Sequence, residues 1–509
     1  MGAARHRWSR RSLAWNGIWT IALGASTALL ALVLPPFLTR LLSPAEYGAW
    51  ALALQIASYV LLLGFGLQVA VGRFVALDAS SPGGSHPIVV AAFRASCGAA
   101  AVGIGLVAAA AAVAPRFVSD LPPELHDDFR IALLLCGASA ASSLVGTVFT
   151  GTFLGEQRAH VPALIALGGR GLQCALVVGM VMRSPSVPAI AAAFAGGQAL
   201  LLAAQVLGWW KWSGVRGVVR GVATRSHYRE LAAFCAPFAL WNLLAALSFG
   251  TDLVIVSKLD FERTPYYAVS LTVVSLFAGV LSAGYNAMLP AAARHVGAND
   301  RPALEALLFR VGPLGIGLSL ALGLPLMVAS TGPLSLWVGE AYAAAAAPYL
   351  SVLVLAQIVR LAMSMYGIAT IAAGRHGTML LGPVLDAAVA LTAAIALGRQ
   401  MGALGVAIGM VAGAATNLLT WCLRDPLREV LGARQVAWSF LRAAAVPVAC
   451  GAVGVAVLRV GVGTLDWLEG EWARFGVSVA VAGVIAAVAL TLAGRGETRR
   501  SRLESRSHT

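Results

Sequence analysis

Charge is what this sequence has least of. Only 11% of its 509 residues are Asp, Glu, Lys or Arg, where soluble globular chains carry roughly 25%. A soluble protein of this length would divide into about three domains. Here apolar runs of about twenty residues recur from end to end between short polar connections, and a single helical membrane body is the simpler reading. Cysteine is scarce as well. Cys97, Cys136, Cys174, Cys235, Cys422 and Cys450 sit in or beside apolar runs, with no C-x-x-C pair and no clustered histidine. They read as small packing residues, and neither a metal nor any other cofactor is expected. No G-x-x-x-x-G-K-[ST] loop is present to hydrolyse ATP. The apolar run after Trp15 is too long for the core of a secretory leader and continues into Pro35 and Pro36, so it is read as the first membrane span.

What is present is a repeating pattern of spans. Apolar runs bounded by charge, Pro or Gly predict helices near 15–37, 48–72, 90–114, 131–153, 161–182 and 187–208. The pattern resumes near 232–257, 266–290, 311–332, 347–373, 378–398 and 402–423, with a further pair near 443–461 and 474–493. The expected fold is therefore an all-α integral membrane protein of about fourteen helices. Its parts are a six-helix bundle (1–208), a basic amphipathic cytoplasmic connector (209–231), a second six-helix bundle (232–424), an additional helix pair (425–494) and a basic tail (495–509).

The net charge of +14 comes from basic residues spread through short loops, not gathered on one soluble face, so no nucleic-acid partner is expected. They report topology instead. With the N-terminus inside, cytoplasmic segments hold about 25 of the 36 Lys and Arg, the opposite side about 8 and the spans about 3. Both termini are thus expected in the cytoplasm, and no outer loop exceeds about fifteen residues. Such short loops leave no room for the acids, Arg or His that a membrane glycosyltransferase or polymerase needs outside. A transporter without its own ATPase remains. In the connector, Trp209, Trp210 and Trp212 stand beside Lys211, Arg216, Arg220, Arg225 and Arg229, a composition that suits a linker lying in the headgroup layer or a docking strip for pyrophosphate-bearing lipids.

Six spans, a basic connector and six more suggest a duplicated carrier whose bundles rock around a midplane site. The block LTRLLSPAEYGAWALAL from Leu38 has a faint echo in VSKLDFERTPYYAVSLTV, with Arg40 and Tyr47 matching Lys258 and Tyr266 or Tyr267. That opening block, Asn16 before the first long span, GFGLQVAVGRFVA from Gly64, TDLVIVSKL around Asp252, Met288 to Pro290, LWVGEAYAAAAAPYLSVL from Leu336 and AAGR at 372–375 carry a resemblance. The chain resembles the polysaccharide-transporter branch of the multidrug/oligosaccharidyl-lipid/polysaccharide exporter superfamily, the group that includes O-antigen flippases. The resemblance implies an alternating-access carrier of undecaprenyl-pyrophosphate-linked oligosaccharide in the bacterial cytoplasmic membrane, acting as a monomer among membrane lipids and alongside polysaccharide polymerase and export machinery. Many members have twelve spans, so the extra pair departs from the pattern; in the peptidoglycan-precursor branch such a pair lines a lipid groove.

Ionisable groups in hydrocarbon cost about 2.5 kcal/mol or more and usually face a cavity or a partner. Four stand well inside predicted spans: Arg170, Asp252, Arg360 and Asp386. They suit internal ion pairs, or else arginines for a substrate pyrophosphate with Asp252 or Asp386 taking a coupling ion. Arg40 and Arg73, near span ends, suit either snorkelling to headgroups or a basic gate at a cavity mouth. Asn286 is a further candidate for sugar hydroxyls. Gly405, Gly409 and Gly413 recur every fourth residue and would present one bare face for close helix contact. Two rival functions share the fold. A drug or cation antiporter would favour an aromatic or acidic cavity, against Arg170 and Arg360. A peptidoglycan-precursor flippase is favoured by fourteen spans, but that branch is marked by arginines in its first spans, and no charge falls between Trp15 and Thr39.

Overall fold

Alanine and leucine fill the apolar runs, and a backbone in hydrocarbon has to satisfy its own N–H and C=O groups, so these runs become helices. The computed structural model describes residues 10–64, 66–78, 87–118, 120–213, 222–286, 288–375, 380–432, 435–442, 445, 449, 470–471 and 473–484, and among them there is no strand. Ten segments of the described residues are long and apolar enough to cross a membrane, making this a multi-pass membrane protein. By packing the chain divides into two units, Met1–Ala246 and Leu247–Thr509.

The first unit contains α1 (Arg10–Leu41), α2 (Pro44–Ser58), α3 (Leu67–Asp78), α4 (Pro87–Phe117), α5 (His126–Gly155), α6 (His160–Arg183), α7 (Val187–Trp212) and most of α8 (Arg225–Phe249). Helix α5 packs against α2, α3, α4 and α7, while α6 lies against α1 and α7. The predicted span 48–72 is broken: α2 gives way to a 3₁₀ turn at Tyr59–Gly64, and Gly66, at φ 72°, redirects the chain into α3. Helix α2 starts with a capping box. The Ser43 hydroxyl accepts from the Glu46 backbone N–H (3.3 Å), and the Glu46 carboxylate accepts from the Ser43 N–H (2.8 Å), with Pro44 in the first turn. Helices α3 and α5 cross so closely that a Cβ on Gly151 would lie 2.6 Å from the Gln68 carbonyl, and one on Gly155 2.7 Å from that of Gly72. Asn16 of α1 ties down the α5–α6 turn, donating to Gln157 Oε1 (3.1 Å) and accepting from the Ala159 N–H (3.4 Å).

The second unit contains α9 (Asp252–Leu259), α10 (Thr264–Asn286), α11 (Leu289–Gly297), α12 (Arg301–Ala306), α13 (Gly312–Val328), α14 (Thr331–Val338), α15 (Glu340–Leu361), α16 (Ser364–Ala372), α17 (Leu381–Arg424) and α18 (Arg428–Leu431). Helix α15 packs against α10, α13, α14 and α17. The 44 residues of α17 are two helices folded back on each other at Gly402, whose φ of 60° and ψ of −145° suit glycine alone. The carboxylate of Asp260 accepts from the Ala403 N–H (3.3 Å) and holds that reversal. Along the hairpin, Gly405, Gly409 and Gly413 lie against Leu397, Ala394 and Ala390 respectively. The bare face read from their four-residue spacing is therefore the contact between the two arms.

The described residues thus supply ten crossing segments, one of them the α17 hairpin, against the fourteen spans expected. Three differences account for most of the gap. The predicted span 232–257 is interrupted at Gly250 and Thr251, between α8 and α9. The predicted span 443–461 lies almost wholly outside the described residues, and of 474–493 only the helix Ala473–Val484 is described. In the connector, Trp209 to Trp212 form the last turn of α7 and Arg225 to Leu231 open α8. Residues 214–221 and the tail 495–509 lie outside the described residues.

Candidate functional site

The charges expected inside spans fall into two polar clusters among the described residues, one in each unit. In the first, Arg170 extends from α6 with its Nη1 donating to Gln173 Oε1 (2.7 Å) and Gln198 Oε1 (2.9 Å). The Gln173 amide is itself oriented by donating to the Phe194 carbonyl of α7 (2.7 Å). Both glutamines are buried. A guanidinium inside a helical bundle needs acceptors, and here two neutral carbonyls hold it in place without cancelling its charge.

Arg170 lines a half-open cavity of about 390 Å³ between α1, α3, α5, α6 and α7. Its wall carries hydroxyls from Thr20, Ser26, Thr27, Ser143, Thr147 and Thr150, and amides from Gln68, Gln198 and Gln205. No Asp or Glu is among the lining residues. Four of these hydroxyls donate to carbonyls of their own helices: Thr20 to Asn16 (2.8 Å), Ser26 to Leu23 (2.6 Å), Thr27 to Gly24 (2.8 Å) and Thr147 to Leu144 (2.6 Å). Their remaining capacity is as acceptors. Gln205 Oε1 is buried and has no partner among the described residues. The spacing of the α5 residues 143, 147 and 150, and of 198 and 205 on α7, is that of one helix face. That periodicity of hydroxyl and amide side chains inside apolar runs was the signal available in the sequence, which a search for charge alone passes over.

The second cluster lies where α8 breaks into α9. Arg360 of α15 donates through Nε to Asp386 Oδ2 (3.0 Å) and through Nη2 to Asp386 Oδ1 (2.9 Å), a two-point guanidinium–carboxylate pair. Nη2 also donates to the Ser248 carbonyl (3.1 Å), at the last turn of α8. The two side chains are 7% and 3% exposed. Asp252, the first residue of α9, accepts from the Tyr267 hydroxyl (3.2 Å) and from the Leu253 N–H (3.0 Å), and lies within Coulombic reach of Arg360. Of the four charges expected inside spans, then, Arg360, Asp386 and Asp252 share one neighbourhood in the second unit, and Arg170 stands apart in the first.

The remaining candidates lie outside both clusters. Arg40 is exposed at the end of α1, and Arg73 is exposed on α3 with its guanidinium over the rings of Phe74 and Phe234, at 5.5 and 4.9 Å. Asn286, the last residue of α10, is exposed. No group of three or more His, Cys, Asp or Glu placed to hold a metal ion occurs among the described residues.

The helix arrangement is similar to that of several solved membrane transporters. A lipid II flippase MurJ, in an inward closed conformation, is similar over 96% of this chain and 99% of its own, with a TM-score of 0.69 at 13% identity. An inward-facing multidrug resistance MATE family transporter of the MOP superfamily matches over 83% and 94%, with a TM-score of 0.63 at 14% identity. The Vibrio cholerae MATE transporter VcmN matches over 82% and 97%, with a TM-score of 0.58 at 14% identity. Among curated proteins no sequence matches. The sequence itself matches the family described as polysaccharide biosynthesis protein over residues 37–346, and the chain belongs to that family.

Proposed function

We propose that this protein is a flippase that carries undecaprenyl-pyrophosphate-linked oligosaccharide repeat units across the bacterial cytoplasmic membrane by alternating access, for O-antigen, capsule or exopolysaccharide assembly. The carrying observation is the hydroxyl- and amide-lined cavity around Arg170 in a chain of the polysaccharide biosynthesis family. A site that binds glycan needs hydrogen-bonding groups to meet sugar hydroxyls, and nine hydroxyl or amide side chains line this cavity beside Arg170. The excess of basic residues on one side supports cytoplasmic termini. In this reading Arg170 meets the substrate, Arg360 and Asp386 hold the second unit together, and Asp252 is the candidate for a coupling proton. The cargo passes from membrane lipids to polymerase and export machinery, and the flippase works as a monomer.

One observation favours a second reading. The likeness to the lipid II flippase fold runs over 96% of this chain and that to the MATE fold over 82–83%, as an additional C-terminal segment would produce. A peptidoglycan precursor is therefore the alternative cargo. A multidrug or cation antiporter fits less well, because the cavity offers a fixed cation and no carboxylate.

The test is a deletion strain complemented with the wild type or with Arg170→Gln or Asp252→Asn, matched for membrane abundance. Loss of surface glycan with lipid-linked repeat units accumulating on the cytoplasmic face is the expected result. Normal glycan in the deletion strain, with drug sensitivity instead, would overturn the reading.

A further inference from the structure

At the end of the second unit where α17 finishes, the chain that follows is pinned back onto the bundle. Helix α17 stops at Asp425, whose backbone is left-handed (φ 39°), a conformation that Asp and Asn tolerate and most side chains resist. Helix α18 and a further helical stretch, 436–442, come next. Their apolar side chains are covered: Leu427, Leu431, Val436, Ala437 and Phe440 are all buried.

A polar contact and an apolar one hold this stretch. Asp425 Oδ1 accepts from the Tyr366 hydroxyl of α16 (2.6 Å) and from the Ala437 N–H (3.2 Å), and the Tyr366 oxygen in turn accepts from the Leu427 N–H (3.0 Å). Two side chains thus join α16, the end of α17 and both halves of the following segment in one buried network, whose members are left unpaired if it parts. The Phe440 ring packs on the Tyr366 ring, with centroids 6.2 Å apart, and against α13 at Gly312, where a Cβ would collide with it. Later in the chain, the Glu471 carbonyl lies 3.2 Å from where a Cβ on Gly332 of α14 would stand. The segment beyond α17 therefore meets the second unit again beside the helix that precedes α15.

The network is held together but not fully satisfied. Asp425 Oδ2 is buried and has no hydrogen-bond partner among the described residues. A carboxylate with one open oxygen at the C-terminal, negative end of a helix is unfavourable on its own. It stays buried because Tyr366, Ala437 and Phe440 keep it there, and a group held in this way opens cooperatively when one of its supports is lost.

We propose that residues 425–440 are a strap that ties the ends of α13, α16 and α17 into one body and opens as a unit, with Asp425 as its positioning residue and Phe440 as its latch. While the strap is closed, the C-terminal segment beyond it moves with the second unit. Nothing in this depends on what the protein carries.

Two native cysteines report on the strap. Cys422, three residues before Asp425, is buried and within Coulombic reach of both Asp425 and Tyr366. Cys136 is buried in α5 of the first unit and serves as the internal reference. The experiment follows alkylation of each by N-ethylmaleimide in full-length protein in nanodiscs, resolved by peptide mass spectrometry. Asp425→Ala and Tyr366→Phe speed the reaction of Cys422 by about ten- to a hundredfold, as expected when a buried group loses its hydrogen-bond partner. Phe440→Ala does so at least as strongly, and Cys136 is unchanged in all three. Asp425→Asn, which keeps an acceptor oxygen and tolerates the left-handed backbone, stays within about threefold of the wild type. Gly312→Ala, made on a different helix, also exposes Cys422 by displacing the Phe440 ring, and adding Phe440→Leu restores protection. That pair decides the matter if Asp425→Ala does not fold. Unchanged Cys422 in Phe440→Ala and Gly312→Ala, equal acceleration of Cys136, or an Asp425→Asn variant as reactive as Asp425→Ala would overturn the proposal. Alkylation is read without reference to export, so failure of the flippase reading leaves this result standing, and the reverse holds too.

Discussion

Replacing Asp386 with asparagine would take from the Arg360 guanidinium the carboxylate it grips at two points while leaving a side chain of nearly the same shape. The structure sets the scale of the effect. The pair is almost wholly shielded, at 7% and 3% exposure, and Asp252 is the carboxylate that stays within Coulombic reach. Removing one partner from a buried pair costs about 3–5 kcal/mol, whereas replacing both with apolar groups of similar volume is often neutral. Asp386→Asn and Arg360→Met should each therefore lower stability by about 3–5 kcal/mol, while the double variant Arg360→Met with Asp386→Leu should fall within about 2 kcal/mol of the wild type. The non-additivity, about 3 kcal/mol or more, is the signature of a direct pair. Denaturant unfolding of detergent-purified protein, followed by tryptophan fluorescence, measures all four states. If the pair serves structure, the double variant also restores glycan export in the deletion strain. Two single variants whose effects simply add, or a stable double variant with no export, would refute the assignment of Arg360 to structure and return it to the transport path.

Two further outcomes follow from local geometry. Gly402→Ala forces a Cβ into a backbone region open to glycine and within 2.6 Å of the Asp260 carboxylate; a loss of about 2 kcal/mol or more is expected, read as a fall in the melting temperature of the purified protein, and an unchanged melting temperature would argue against the α17 hairpin. Ser43→Ala removes one half of the α2 capping box and should cost about 1 kcal/mol, seen in the same melt, with Glu46→Gln, which keeps an acceptor, costing less.

Much of the first unit was legible in the sequence. Five of its six predicted spans correspond to single helices, α1, α4, α5, α6 and α7, because a run of Ala, Leu and Val between polar stops can only be a helix in hydrocarbon. The sixth, 48–72, is broken at Gly64 and Gly66, and hydropathy does not register a change of direction inside an apolar stretch. The same blindness hid the interruption at Gly250 and Thr251. The capping box at Ser43, Pro44 and Glu46 is readable from its S-x-x-E spacing. The four charges inside the predicted spans were visible as charges, and the i, i+3 spacing of Arg170 and Gln173 is readable on one helix, but the partners that come from other helices, Gln198 and Asp386, are not.

Composition and periodicity by themselves determined that this chain spans a membrane many times and carries few groups able to do chemistry there, because the free energy of placing each residue in hydrocarbon depends on its own side chain. The tertiary structure decided which charges are neutralised. Arg360 and Asp386 are 26 residues apart and Arg170 and Gln198 28, so in both cases the partner is supplied by a neighbouring helix, and which helix faces stand opposite each other follows from packing, not from the pattern along either one. A carboxylate opposite Arg360 makes a closed pair. An amide from α7 and another from its own helix hold Arg170 beside a cavity with no lining carboxylate.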